Sequence, residues 1–180
     1  MNYLYVDNSN VWIEGMRVAA VARGLAPDIW TARDQKITDY TWKIDFGHLY
    51  AFAGGDKKDV GRAVLYGSRP PPNDSVWEIA KRKGFEVVVQ DRNVHNKEKK
   101  VDTGIATDIV ADSYELMDAA SDEITLVAGD ADYVPTVQRI RKRGLKFTVV
   151  FWDHASKELR DAASDFISLN QYLEHLNVKK

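Results

Sequence analysis

The chain has 180 residues, 44% hydrophobic and 29% charged, a length and balance that suit one soluble globular domain with a sizeable core. A net charge of −2 gives no global attraction to polyanions, so any nucleic-acid contact has to come from local basic patches. The absence of cysteine excludes disulfides, thiolate metal sites and a cysteine nucleophile; no apolar run approaches the roughly 20 residues of a membrane span, and an acidic motif at residue 7 is unlike a signal peptide, so the cytoplasm is the expected compartment.

In chain order, short apolar runs rich in β-branched and aromatic residues read as buried strands: 3–7 (YLYVD), 62–67 (RAVLYG), 85–90 (FEVVVQ), 123–128 (EITLVA) and 146–152 (KFTVVFW). Between them lie helix-period stretches. Residues 10–23 stop at Gly24, 74–83 start on an Asp cap and stop at Gly84, and 133–143 stop at Gly144. Residues 103–119 carry apolar positions at 105, 109, 110, 116 and 117, and 155–163 form a shorter candidate. Strands alternating with glycine-terminated helices imply βαβ units, a mostly parallel sheet and the α/β class. Residues 25–46 are expected to be an excursion or hairpin, 91–101 a polar loop, and the chain after about 165 an extension.

All strands of a parallel sheet end on one edge, and ligands bind outside that edge. Asp7 closes the first strand, Asp130 and Asp132 follow the fourth, and Asp102 stands in the connection that leaves the third. Asp108 lies six residues further on, about 120° round a regular helix from Asp102. Each aspartate alone is equally well read as a helix cap or a solvated residue. Together they would repel one another unless a cation sat among them, and a hard divalent ion such as Mg²⁺ or Mn²⁺ takes oxygen ligands. Such an ion acidifies water and offsets charge on a phosphate, which suits phosphodiester hydrolysis.

The segments VDNSN at 6–10, KKVDTGIATDIVAD at 99–112 and VAGDADYVP at 127–135 resemble, in order and spacing, the three signatures of NYN-domain proteins of the LabA-like group in the PIN-like nuclease superfamily. The resemblance runs from about residue 3 to 153. It implies a three-layer α/β/α sandwich and a Mg²⁺- or Mn²⁺-dependent ribonuclease centre. By position it implies that Asp7, Asp102 and Asp130 hold the ion, that Asp108 and Asp132 orient water or a second ion, and that Asn10 fixes a ligand or a phosphate. Lys99 falls on the lysine of the second signature. Lys100 stands where glycine is common, Ala128 replaces a small hydroxyl residue, and Tyr133 replaces phenylalanine. No carboxylate is lost.

A phosphodiester next to this acidic centre needs cations, and Lys97, Lys99, Lys100, Arg62 and Arg69 are the candidates for positioning its phosphates. Trp12, Trp30, Trp42 and Tyr133 are candidates for stacking on unpaired bases, so single-stranded RNA is the expected partner. The basic run RIRKRG at 139–144 is read as a helix end whose cations suit the macrodipole. Residues 25–46 are a candidate region for substrate choice or for homo-oligomer contact. Other chemistries fit less well: Ser9 occupies the position where a haloacid-dehalogenase phosphatase needs its second aspartate, Asp7 stands where a Toprim centre expects glutamate, and neither a P-loop nor a dinucleotide glycine fingerprint occurs. The alternative of a different class is a non-catalytic RNA- or protein-binding module with a vestigial acidic cleft.

Overall fold

A computed structural model describes residues 1–69, 75–91 and 99–179. Six strands, β1 (Asn2–Asp7), β2 (Val60–Arg69), β3 (Glu86–Asp91), β4 (Glu123–Val127), β5 (Lys146–Phe151) and β6 (Asp165–Ser168), form one sheet in the order β3-β2-β1-β4-β5-β6. Every neighbouring pair is parallel. The order reverses direction between β1 and β4. The chain therefore leaves β1 to one face and β4 to the other, and the crevice opened there is lined by Asp7 and by Asp130 of the GDAD loop.

Among the described residues seven α-helices cover the sheet: α1 (Asn8–Ala22), α2 (Ile29–Asp34), α3 (Phe46–Gly54), α4 (Ser75–Lys83), α5 (Lys99–Glu115), α6 (Val134–Lys142) and α7 (Lys157–Ala162). The period-2 alternation of β1 divides the core between them. Leu4 and Val6 face a cluster with Val11, Trp42, Leu49, Trp77 and Trp152, under α1, α3 and α4. Tyr3 and Tyr5 face a second cluster with Ile105, Ile109, Val137, Ile140 and Leu159, under α5, α6 and α7. The result is a three-layer α/β/α sandwich. Among the described residues no helix is long and apolar enough to cross a membrane.

Three elements depart from the sequence expectations. Residues 25–46 are not a hairpin: they hold α2, capped by Asp28 on the Thr31 N–H, and then return Trp42 to the core with its indole N–H on the Leu173 carbonyl. The segment FGHLYAFAG forms α3 because Asp45 caps it and its apolar residues recur at helical spacing. Residues after 165 add β6 and bury Leu169, Leu173 and Leu176 beside Trp42 and Trp152.

Helix α5 meets the sheet through tyrosine hydroxyls. Tyr5 donates to Asp112 Oδ2 at 2.6 Å, Tyr66 to Asp108 Oδ2 at 2.6 Å, and Tyr3 to the Leu116 carbonyl at 3.2 Å. Arg62 completes this lower network by bridging Asp112 and Glu86. That corrects the reading of Arg62 as a phosphate contact. Strand β2 begins at Val60, so Arg62 pairs with Tyr3 at the amino end of the sheet, away from the crevice.

On the opposite face, α1 packs tightly against the edge-on pair Trp42–Trp152, with ring centroids 5.7 Å apart. Gly15 makes this approach possible, because a Cβ there would lie 2.5 Å from the Trp42 ring and 2.8 Å from Trp152. Gly15→Ala is therefore expected to destabilise the fold by about 1–3 kcal/mol despite its better helix propensity. Urea denaturation should show a lower midpoint at unchanged m-value.

Candidate metal centre

The aspartates at the strand ends serve as helix caps and also line the crevice. Asp7 caps α1: its Oδ1 accepts from the Asn10 N–H and the Ser9 hydroxyl, both at 3.3 Å. Its Oδ2 is left to face Tyr133. Asp130 likewise accepts the Asp132 N–H on Oδ1 at 3.0 Å, which tightens the GDAD loop into a short 3₁₀ turn. Capping uses one oxygen of each carboxylate, so the bland and the functional readings are compatible.

Asp102, Asp130 and Asp132 come together, each offering one oxygen within 4.8 Å of the others. Asp102 lies in the first turn of α5 rather than in a loop before it. The buried Tyr133 joins this group to Asp7, its hydroxyl lying 3.2 Å from Asp7 Oδ2 and 3.0 Å from Asp102 Oδ1. One hydroxyl proton serves two carboxylates, so the bridge cannot satisfy both in ionised form. Burial first, and then the negative charge of Asp102, push the Asp7 carboxyl up to about 7. Burial also raises Asp102, with Asp130 and Asp132 adding to it.

Asp108 is not drawn into this group. A regular helix from residue 99 carries it about 9 Å further along α5, where it meets Tyr66 instead of the crevice. Asn10 lines the crevice, but its Oδ1 accepts the Gly129 N–H at 3.1 Å, so it clamps α1 to the GDAD loop. Gly129 is required there: a Cβ would lie 2.2 Å from the Phe151 ring. Of the expected phosphate-positioning cations, Lys97 lies outside the described residues. For Arg69, Lys99 and Lys100 only the backbone is described, ending β2 and opening α5.

The crevice is a cavity of about 510 Å³ lined by Asp7, Ser9, Asn10, Asp102 and Asp130 on its acidic side. Arg17 and Arg33 line it as well, and neither was singled out from the sequence. Both turn towards Glu14, Arg17 at 2.6 Å and Arg33 at 3.7 Å, rather than towards the aspartates. Burial alone would raise the Glu14 carboxyl, but the His154 hydrogen bond at 2.6 Å and the two guanidinium charges hold it below its ordinary value. The only sequence hint was the one-turn spacing of Glu14 and Arg17; Arg33 and His154 join them through the tertiary fold. Of the aromatic candidates, Trp42 and Tyr133 are buried and Trp12 packs on Phe46, so they do not present a stacking face; Trp30 is 61% exposed. The basic end of α6 is occupied structurally, with Arg143 on the Ser113 and Met117 carbonyls and Arg141 on that of Ala162.

Acids from two strand ends and a helix start, gathered at the reversal of strand order, are the arrangement that the three sequence motifs imply. Residues 8–170 match the NYN domain. The chain belongs to the NYN domain family. NYN domains lie within the PIN-like nuclease superfamily and are generally nucleases. The fold of this NYN domain is similar to the crystal structure of a protein of unknown function, VPA0982, from Vibrio parahaemolyticus, with a TM-score of 0.67 and 23% identity over 93% of this chain and 91% of that one. That likeness speaks to the fold alone. No curated protein matches the chain.

The donor set fits a hard divalent cation, since all its atoms are carboxylate oxygens, and beside it burial and then the charge of Asp102 raise the Asp7 carboxyl. A folded-state carboxyl at about 7, against an ordinary 3.8, favours the fold most at low pH, and that contribution is lost as pH rises through 7. The metal-free NYN domain is thus expected to lose on the order of 2–4 kcal/mol from this group between pH 4 and 8. Asp7→Asn keeps the cap acceptor and should flatten the profile, as read from chemical denaturation across that range. A second expectation concerns the bridge. Tyr133→Phe removes a buried hydroxyl that two carboxylates use and should cost about 1–2 kcal/mol at pH 7, read from the urea midpoint.

Proposed function

We propose that this NYN domain is a divalent-metal-dependent ribonuclease of the LabA-like group that hydrolyses phosphodiester bonds in single-stranded RNA at the Asp7–Asp102–Asp130–Asp132 crevice. The observation that carries the reading is the meeting of Asp102, Asp130 and Asp132 within 4.8 Å, with the buried Asp7 tied to Asp102 through Tyr133. Among the described side chains no cation is paired with any of the four, and Arg17 and Arg33 go to Glu14.

Mg²⁺ or Mn²⁺ bound here would supply Lewis-acid neutralisation of a phosphate and a more acidic water. Asp102, Asp130 and Asp132 would hold it, with Asp7 completing the anionic wall. Tyr133 fixes the spacing of Asp7 and Asp102 and excludes water between them. Asn10 positions Asp130 by holding the Gly129 N–H. Asp108, engaged by Tyr66, supports α5 and is left out of the ion-holding set. Arg17 and Arg33 offer the positive charge that a polyanionic substrate needs beside four carboxylates, and Lys97, Lys99, Lys100 and Arg69 remain proposed substrate contacts from their place in the sequence.

Mn²⁺ at about 100 times its Kd is expected to raise Tm by about 5–10 °C. Asp130→Asn should lose most of that shift, and equal stabilisation of both proteins would count against the assigned centre. Wild type should cleave single-stranded RNA in Mn²⁺ on a denaturing gel, and Asp130→Asn should not. Intact RNA after long incubation at high protein in either Mn²⁺ or Mg²⁺ would favour the non-catalytic binding module.

A further inference from the structure

Beside the aspartates the crevice is lined by Ile13, Glu14 and Arg17 of α1 and by Arg33 of α2, and Arg33 in turn lies over the exposed indole of Trp30. The other four tryptophans are engaged elsewhere: Trp42, Trp77 and Trp152 are core residues and Trp12 packs against that core. Trp30 is 61% exposed, with Ile13 on the neighbouring cavity wall 40% exposed. The indole is nevertheless oriented. The Arg33 guanidinium lies 5.5 Å from its ring centroid, and the buried His154 meets it at 79° with centroids 6.3 Å apart.

Glu14 ties these groups together. It accepts from Arg17 and contacts His154 at 2.6 Å on its other oxygen, with Arg33 at 3.7 Å. One carboxylate against two guanidiniums leaves the group net positive while holding both cations in place. Arg17 Nε is buried and has no hydrogen-bond partner, so this donor is kept dry without being satisfied. Arg17 and Arg33 share a cavity with Asp7, Asp102 and Asp130, so a bound anion there would lie beside the carboxylate centre.

We propose that Trp30, Arg33 and Arg17 form a nucleotide subsite next to the acidic centre, in which the indole stacks on an unpaired base of a single-stranded nucleic acid and the guanidiniums take the adjoining phosphate. The choice of a single-stranded nucleic acid rests on the reading of the crevice as a phosphodiester site. An indole stacks on any base with a free face, and such a face exists only where the base is unpaired. Arginine over an indole and beside a second arginine matches a phosphate bridged between two geometrically fixed donors. The prearranged cations would lower the ordering cost of binding.

The test uses the full chain, a fluorescein-labelled ten-nucleotide oligouridylate and the small diester bis(p-nitrophenyl) phosphate. Anisotropy in Ca²⁺ over a KCl series reports oligonucleotide affinity, and Mn²⁺-dependent release of nitrophenolate reports chemistry on a diester with no neighbouring nucleotide. Trp30→Ala is expected to weaken oligonucleotide binding about tenfold at an unchanged salt slope. Arg33→Gln should weaken it and reduce the slope of log K against log[KCl] by about 0.7. Both variants should keep the wild-type Tm within a few degrees, and Trp30→Ala should hydrolyse the small diester at the wild-type rate. Binding by both variants equal to wild type overturns the subsite and leaves the nuclease reading in place. Trp30- and Arg33-dependent binding without hydrolysis of either substrate supports the subsite and overturns the nuclease reading. Absence of wild-type binding overturns the subsite, as does a wild-type dimer that Trp30→Ala dissociates without any change in affinity.

Discussion

Electrostatic repulsion among a few aspartates is the constraint on which this molecule turns. A parallel sheet brings all its strand ends to one edge, and the reversal of strand order between β1 and β4 opens that edge. Into this opening the chain places Asp7, Asp102, Asp130 and Asp132, with one tyrosine hydroxyl between two of them. Burial, and then the charge of Asp102, raise the proton affinity of the most buried of them. It also has to supply the packing, the caps and the glycine contacts that keep these groups from moving apart.

Both faces of the sheet contribute to that restraint. Under α1, the Trp42–Trp152 pair and Gly15 fix the helix that follows Asp7. The clamp from Asn10 to Gly129, and the passage of Phe151 where a Cβ would stand, fix the loop that bears Asp130. Across the crevice, Glu14 gathers Arg17, Arg33 and His154 without lending positive charge to the aspartates. Two separate charge systems thus share one cavity, one negative, the other net positive around a single buried carboxylate. A polyanionic chain that brought a metal ion with it would complement both.

Much of this was legible from residue patterns, and the exceptions have physical causes. Five strands read correctly because β-branched runs between glycine-stopped helices leave little other choice. β6 was missed because DFIS is short and half-exposed, with no apolar run to mark it. Helix α3 was missed because FGHLYAFAG mixes aromatics and glycines, and its stability comes from the Asp45 cap and burial. That Asp7, Asp102, Asp130 and Asp132 would meet was legible because each sits at a strand end or helix start. Asp108 was over-read because it shares a helix with Asp102, and only the observed start of that helix decides which way it points. Tyr133 looked like a substituted position or a stacking surface, and its place between two carboxylates depends on α5 reaching across from another part of the chain. Arg62 already opened the expected strand, and its reading as a phosphate contact overlooked that a residue at the amino end of a parallel strand lies away from the crevice.

The tyrosines along α5 have a mechanical meaning. Apolar side chains tolerate a helix that slides or rolls by a fraction of an ångström, whereas a phenol meeting a carboxylate does not. Tyr3, Tyr5, Tyr66 and Tyr133 engage acceptors from one end of α5 to the other, and so act as index pins along its length. The position of Asp102 is thereby set by anchors at the remote end of the same rod. Disturbance at Asp112, remote from the acidic crevice, would be transmitted there as axial misalignment.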